Sequence, residues 1–492
     1  MQGGRLILDQ QEKYEYLAED PRVNVMPIMI SMIIGAFFAI LNETLLNIAL
    51  TTLMKEFSVT VTTVQWMATG FMLVMGIVIP ISALLMQWFT TRQMFLGTMI
   101  IFTIGTVICG IAPNFTILVA GRLLQAVGTG LLMPIIFNAF LLIYPPHRRG
   151  AVMGIVGLVI MFAPAIGPTL SGVIVEHLGW RYLFFAVIPF AIFSIGFAYK
   201  YLLNVGEITK PKIDILSIVL STIGFGSTVY GFSSVGDKEL GFLDPSVYVP
   251  ILIGIAAIVL FIFRQLSVEQ PLMDLRVFKI PMYALGVIMF VLIIMLMFAS
   301  EIVLPLYMQG PLALSAATAG LVLLPGSILN GLLSPVMGKL FDKFGPRLLM
   351  IPAAAVLCAA TYGLTMLDAN TSIRYIVVCY ILLMVSISAI MMPSETNGLN
   401  ALPKSMYPHG TAVISTLQPV AGAIGVSVFI SLMNSRAKQA ADTAGSQAEA
   451  MVSGVEFVYF IAFIMAIGAF ILSLFIKRAE NGMEASQKPE NQ

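Results

Sequence analysis

Apolar runs of twenty or more residues, broken by short polar stretches, recur along the whole chain. About 20 apolar residues at 1.5 Å rise each cross a hydrocarbon core of about 30 Å. Fourteen runs reach that length, near 26–50, 62–86, 94–112, 116–143, 150–174, 182–203, 213–235, 246–266, 282–308, 316–339, 347–367, 373–398, 409–433 and 454–476. They predict an all-α polytopic membrane protein with 14 transmembrane helices. The runs at 213–235 and 409–433 are the weakest, being rich in Gly, Ser and Thr, and a re-entrant or interfacial segment is the alternative for each. The longest outer connection, 434–453, is polar and Ala-rich and suits a short surface helix.

Composition supports this pattern. Of 492 residues 59% are hydrophobic and 10% charged, against about 25% charged in a soluble domain; mean hydropathy is +0.95. An even number of spans places both termini on one side. With that side in the cytoplasm, nineteen Lys and Arg fall inside and six outside, with Arg122 within a span. This is the expected positive-inside bias, and it implies a multi-pass protein of the cell membrane with cytoplasmic termini. Residues 1–22 are polar and mixed in charge, unlike a signal peptide, and read as a cytoplasmic tail. A net charge of +1 suggests no nucleic-acid partner. Cys109, Cys358 and Cys379 each sit in an apolar run, and His147, His177 and His409 in predicted loops, so neither a disulfide framework nor a metal site is expected. No GxxxxGK[ST] segment occurs, which argues against an ATP-driven machine on this chain.

The loop after the tenth run, Gly338-Lys339-Leu340-Phe341-Asp342-Lys343-Phe344-Gly345-Pro346-Arg347, has a weak counterpart after the second, Ser82 to Arg92. Two six-helix halves separated by two extra helices would place these loops equivalently, with the substrate site between the halves. The organisation expected is a tail over 1–22, a six-helix bundle over 23–205, two additional helices over 206–270, a second bundle over 271–478 and a tail over 479–492.

The 338–347 segment resembles the G-x-L-x-D-[KR]-x-G-x-[KR] loop of the major facilitator superfamily. Gly121 to Gly130 is similar to the superfamily's fourth-helix signature, and Trp180-Arg181-Tyr182-Leu183-Phe184 to the start of its sixth helix. Gly154 to Gly157 with Ala163 to Gly172 resembles the fifth-helix signature of its antiporters. Together with Leu41 to Leu50 on the first run, these resemble the fourteen-helix drug:proton antiporters, most of all the lincomycin-resistance type of multidrug exporter. The resemblance implies a major facilitator fold arranged 6+2+6. Two positions depart from the pattern. The family Asp of the first helix is Asn42 here, with Glu43 beside it, and the Asp of the first loop copy aligns with Gln87. One residue is about 100° around a helix, so Glu43 is expected to face differently from that Asp.

Ionisable residues within spans are costly, so each is a functional candidate. Glu43, Arg122 and Glu301 lie six or seven residues from the outer ends of their runs, or about 9–10 Å down, and can share one layer. Burial and a nearby Arg act oppositely on a carboxyl, and a group poised between them can carry a proton. Glu43 is expected to bind the proton, Arg122 to modulate it and Glu301 to act as a second acid; the alternative is a static pair that only fixes packing. Glu395, near the inner end of its run, is expected to snorkel to the interface, and Asp214 to cap a helix. Gly167 and Pro168, with Gly154, Gly157, Ala163 and Gly172, predict a thin, bent helix on which a neighbour can rock. Gly338, Asp342, Gly345 and Arg347 are expected to latch the inner face, Asp342 and Arg347 pairing with a helix end or charge across the halves.

Thirty-one Met and 32 Phe suit adaptable cavity walls, and Asn47, Gln65, Asn138 and Gln418 are candidate polar linings. The expected function is proton-coupled efflux of small amphipathic drugs, such as lincosamides and dyes, by alternating access. The protein would be a transporter rather than an enzyme, a monomer in the lipid bilayer, without cofactor and driven by the proton gradient. A lipid or glycolipid flippase, a proton-coupled nutrient importer, and a sensor or scaffold without transport are the rival readings.

Overall fold

The computed structural model describes residues 16–59, 61–64, 66–205, 208–211, 213–235, 241–441 and 446–479. Among them no strand occurs, and fourteen helical segments run the length of the molecule. They are α1 (Met26–Phe57), α2 (Trp66–Trp88), α3 (Thr91–Gly110), α4 (Phe115–Ile143), α5 (Pro146–His177), α6 (Tyr182–Tyr201, interrupted after Phe185), α7 (Ile215–Ser233), α8 (Pro245–Ser267), α9 (Pro281–Gln309), α10 (Ala316–Phe344), α11 (Pro346–Leu364), α12 (Ile373–Asn400), α13 (Tyr407–Ala441) and α14 (Gln447–Phe475). Thirteen are long and apolar enough to cross a membrane; α5, with 32 residues, is the other. Both weak runs are full helices, α7 and α13.

Local chemistry sets the ends. Thr90 and Gln93 form a capping box at the start of α3. Asn114, Ser315, Ser372 and Ser446 cap α4, α10, α12 and α14 by accepting a backbone N–H, and Pro opens α5, α8, α9 and α11, where its missing N–H has no partner to lose. Asp214 stands at the N-cap of α7, and its carboxylate accepts from the Ser217 and Arg264 side chains. Several ends lie beyond the predicted runs. α1 continues to Phe57, and α13 continues to Ala441, absorbing the first part of the connection expected to form a separate surface helix. The segment Asn434 to Ala441 is polar yet rich in good helix formers, so it extends the helix past the apolar stretch.

α1 packs on α5 and α6, and α3 on α4; in the second half α12 packs on α9, α10 and α11, and α14 on α11 and α13. The halves meet along two seams, α5 against α10 and α2 with α4 against α13. α7 lies on α2 and α13, beside the second seam, and α8 packs mainly on α7. The outer side of α8 exposes Leu252, Leu260 and Phe263, as a lipid-facing helix does. Residues 16–25 and 476–479 lie on one face of the bundle, the terminal face: Tyr16 covers Arg149 at the start of α5, and Arg478 donates to the Asp342 carbonyl at the end of α10.

Candidate functional site

α4 delivers Arg122 into the first half, where it is 2% exposed. Its Nη1 donates to Asn42 Oδ1 at 2.9 Å and to Gln125 Oε1 at 3.1 Å. Gln125 Nε2 in turn donates to Thr106 Oγ1 on α3 at 2.8 Å. The guanidinium also stands 4.4 Å from the centre of the Phe71 ring on α2, a contact worth roughly 0.5–2 kcal/mol depending on desolvation. One cation therefore ties four helices together through neutral partners. Arg122 Nε and Asn42 Nδ2 are buried without a hydrogen bond.

Glu43, half-buried on α1, is the carboxylate whose charge reaches Arg122. Among the described residues it makes no hydrogen bond and no ion pair within 4 Å. The 100° step along the helix explains the arrangement: Asn42 faces Arg122 and Glu43 stands beside the contact. Its neighbour Thr44 presses on α5, where a Cβ added to Gly167 would come within 2.3 Å of Thr44 Oγ1. The thin part of α5 thus touches α1 one residue from the acid. The side chain of Pro168 lies outside the described residues.

Glu301 belongs to a separate environment. Ile288, Ile302 and Leu306 mark the outward face of α9, and Glu301 lies about 100° or more around from it. Ser300, Met297, Leu304 and Met308 on the same helix are buried, while Glu301 itself is open. Its charge reaches Tyr380 on α12, whose hydroxyl lies 3.2 Å from Ser327 Oγ on α10. Arg122 and Glu43 do not join it, so the three candidates form one pair and one distant acid. α1 runs seven residues past its predicted end, so Glu43 is 14 residues from the end of its helix; its layer is set by Arg122, not by that end.

At the terminal face the two halves are tied. Asp342 Oδ1 and Oδ2 accept from the Gly150 and Ala151 N–H groups, both at 2.8 Å, near the positive end of the α5 dipole. α5 and α10 approach so closely there that a Cβ on Gly338 would lie 1.9 Å from the Gly150 carbonyl oxygen. Gly345 turns the chain from α10 into α11 with φ +80°, a conformation natural to glycine. Arg347 departs from expectation. It is exposed, and among the described residues it makes no ion pair. Its expected latch role falls instead to fully buried Arg149, whose Nη1 donates to Asn400 Oδ1 of α12 at 2.8 Å. At the other seam Gln87 Nε2 lies 3.4 Å from His409 Nε2 near the start of α13, the counterpart of the Asp342 contact with α5.

Of the lining candidates, Gln65 and the side chain of Asn47 lie outside the described residues. Asn138 is buried with an unpartnered Oδ1 and borders a small space with Met86, Phe89, Thr91, Met94 and Ile135, between α2, α3 and α4 rather than between the halves. Gln418 is half-buried on α13.

Glu395 overturns its expectation. It is 1% exposed and does not snorkel, and its Oε1 has no hydrogen-bond partner. The signal was present in the sequence. Pro393-Ser394-Glu395-Thr396-Asn397 is polar on every side, which a helix end facing lipid cannot be; every residue from Ser386 to Asn400 is buried.

Residues 32–426 match the sequence profile of the Major Facilitator Superfamily. The chain is 48% identical over 463 residues to the lincomycin resistance protein LmrB of Bacillus subtilis, covering 93% of this chain and 96% of that protein. It is 48% identical over 464 residues to the protein of the same name in Listeria monocytogenes, covering 93% and 98%. A more distant relative, the riboflavin transporter RibZ of Clostridioides difficile, is 26% identical over 82% of this chain and 87% of its own. Among solved structures the proton:xylose symporter XylE superposes with a TM-score of 0.63 at 14% identity, covering 94% of this chain and 99% of that one. The human organic anion transporter MFSD10 gives 0.60 at 13%, covering 89% and 99%. These two likenesses concern the fold alone.

Proposed function

The chain belongs to the major facilitator superfamily, as a multi-pass membrane transporter and not an enzyme, and from that premise we propose that it expels small amphipathic drugs, lincosamides among them, in exchange for protons. The terminal face is then cytoplasmic, as the Lys and Arg distribution favours, and the working unit is the monomer. The observation that carries the reading is Glu43: a carboxyl within the membrane, free of hydrogen bonds among the described residues, beside a buried Arg122 and next to the α1–α5 contact.

Each part has a physical task. Arg122 keeps its neutral ligands whether or not Glu43 is charged, so the pair supplies a field without a permanent bond. An ionised Glu43 is favoured by that field and disfavoured by the apolar surroundings. A small change in water access is enough to tip such a balance. With the terminal face tied by Asp342 and Arg149, a proton arriving from the other face neutralises Glu43. Drug entering from the cytoplasm or inner leaflet requires the tied face to open. Glu301, in the other half, offers a second carboxyl to a proton or to a cationic drug.

The test is efflux of ethidium and a lincosamide from membrane vesicles with and without an imposed proton gradient. Glu43→Gln is expected to lower gradient-driven efflux about tenfold, within the usual range of coupling energies, and Glu301→Gln to lower it chiefly for cationic drugs. Gradient-driven efflux unchanged in both variants would overturn the coupling assignment.

A further inference from the structure

Glu395 is the buried acid that the exchange just described does not use. It lies on α12 five residues before the terminal end of that helix, about 8 Å from it. It is 1% exposed, with Oε1 unpartnered, and among the described residues it makes no hydrogen bond or ion pair. Tyr283 on α9 is the titratable group its charge reaches, and the Tyr283 hydroxyl is occupied as donor to the Gly410 carbonyl at 2.9 Å. α9 packs tightly here: a Cβ on Gly286 would lie 2.6 Å from the Ser394 carbonyl oxygen, which leaves no room for water on that side.

The charged groups of the surrounding elements are turned elsewhere. Arg149 of α5 is bonded to Asn400 and to the Tyr144 and Leu141 carbonyls. His409 of α13 faces Gln87 and accepts from the Asp274 N–H. Asp342 of α10 is held by Gly150 and Ala151, and Lys339 and Lys343 of α10 and Arg347 of α11 are exposed. An ionised carboxyl without partners in such a place costs several kcal/mol, so the neutral acid is the form this closed arrangement can hold.

Between Glu395 and the terminal end of α12 lies a contact that must part when the terminal face opens. Two residues on, Asn397 Nδ2 donates to the Lys477 carbonyl and its Oδ1 accepts from the Ala479 N–H, both at 3.0 Å, within the C-terminal half. Asn400 receives Arg149 from the other half.

We propose that Glu395 is a second proton-carrying group of this transporter, on the release side of its C-terminal half, which holds its proton while the terminal face is closed and gives it to entering water when that face opens. The proposal rests on proton-driven alternating access as read above. The step is a plain acid ionisation: the carboxyl O–H bond breaks, the proton passes to water and the carboxylate is hydrated. Its sign follows from linkage. The closed state binds the extra proton, so falling pH favours closure and rising pH favours opening.

The test uses the full chain in lipid nanodiscs, with spin labels on cysteines placed at Arg148 and Lys343, both exposed on facing sides of the α5–α10 seam, in a background where Cys109, Cys358 and Cys379 are replaced. The label distance is read from pH 5 to pH 9, without and with ethidium. The wild-type background is expected to shift at least tenfold towards the open separation as pH rises. Glu395→Gln should stay closed throughout without drug yet open with it, and Glu395→Asp should restore the pH response. Infrared difference spectra should show a carbonyl band of a protonated carboxylic acid that Glu395→Gln lacks and Glu43→Gln keeps. A pH response in Glu395→Gln equal to wild type, or the same band surviving in that variant, would overturn the proposal and leave drug export untouched. Wild-type protein that binds ethidium but moves its labels with neither pH nor drug would overturn the underlying exchange as well. If Glu395→Gln fails to fold, the infrared band in Glu395→Asp decides: it must shift if Glu395 is its source.

Discussion

Arg122 chooses a neutral ligand although an acid stands one position away. Asn42 Oδ1 receives its Nη1 at 2.9 Å, while Glu43 interacts only through space. A carboxylate at position 42 would form a charge-assisted bond about twice as strong as the neutral one. Exchanging the two side chains therefore tests whether the coupling needs an acid near Arg122 or an acid at one angle. The double variant Asn42→Asp with Glu43→Gln is expected to recover part of the gradient-driven efflux that Glu43→Gln loses, with a proton affinity lowered by the direct bond. Recovery should be visible as an efflux optimum displaced to lower pH.

Asp214 offers a simpler titration, outside the spans. The Arg264 side chain holds its carboxyl below the ordinary carboxylate range, against burial and with help from Ser217. The folded protein thus binds this proton more weakly than the unfolded chain. The α7–α8 contact contributes stability above the ordinary value, about pH 4, and loses it as pH falls through the lowered one. Asp214→Asn should melt at lower temperature than wild type in detergent near neutral pH, the gap closing under acid conditions.

At the residue scale the sequence exposed which groups are costly but not which way they point. Glu43, Arg122 and Glu301 were legible because charge in an apolar run is rare. Their separation into a pair and a distant acid was not, because the angle between Glu301 and Arg122 depends on how α9 and α4 are rotated in the bundle. Arg149 counts among the nineteen Lys and Arg of the inner side, yet it is wholly buried. Nothing in the string Arg148-Arg149 separates the one that is exposed from the one that is not.

At the element scale the long helices follow from apolar length alone, whereas their ends follow from caps and helix propensity. Hydropathy stops counting at Leu50 and Met433; the backbone goes on to Phe57 and Ala441. The α5–α10 seam was foreshadowed by glycines on one element and by Gly338 to Asp342 on the other, a stretch expected as a loop that instead continues α10 to Phe344, since both sides must be thin to approach. Asp342 supplies two charge-assisted bonds to α5, each worth about 1.5–3 kcal/mol. Losing one should shift the balance away from the closed terminal face about tenfold or more. Asp342→Asn and Gly338→Val are therefore expected to raise thiol labelling of a cysteine at Ala151 and to lower drug efflux. Gln87, in the equivalent position at the end of α2, has only the 3.4 Å approach to His409. Gln87→Ala should have a much smaller effect on the same labelling.

At the scale of the molecule the terminal face is closed by unlike ties at its two seams: a carboxylate on backbone N–H groups at α5–α10, and a neutral side-chain contact at α2–α13, beside which α7 is laid. The carboxyls of this bundle are proposed to exchange protons for drug. The most direct test is to add ethidium or a lincosamide to purified, weakly buffered protein and read the released protons with a pH dye. Wild type is expected to release protons in proportion to drug bound, Glu43→Gln to release fewer while still binding, and the amount to fall as the starting pH rises. Drug binding of undiminished strength with no proton released at any pH would rule out proton exchange at these carboxyls.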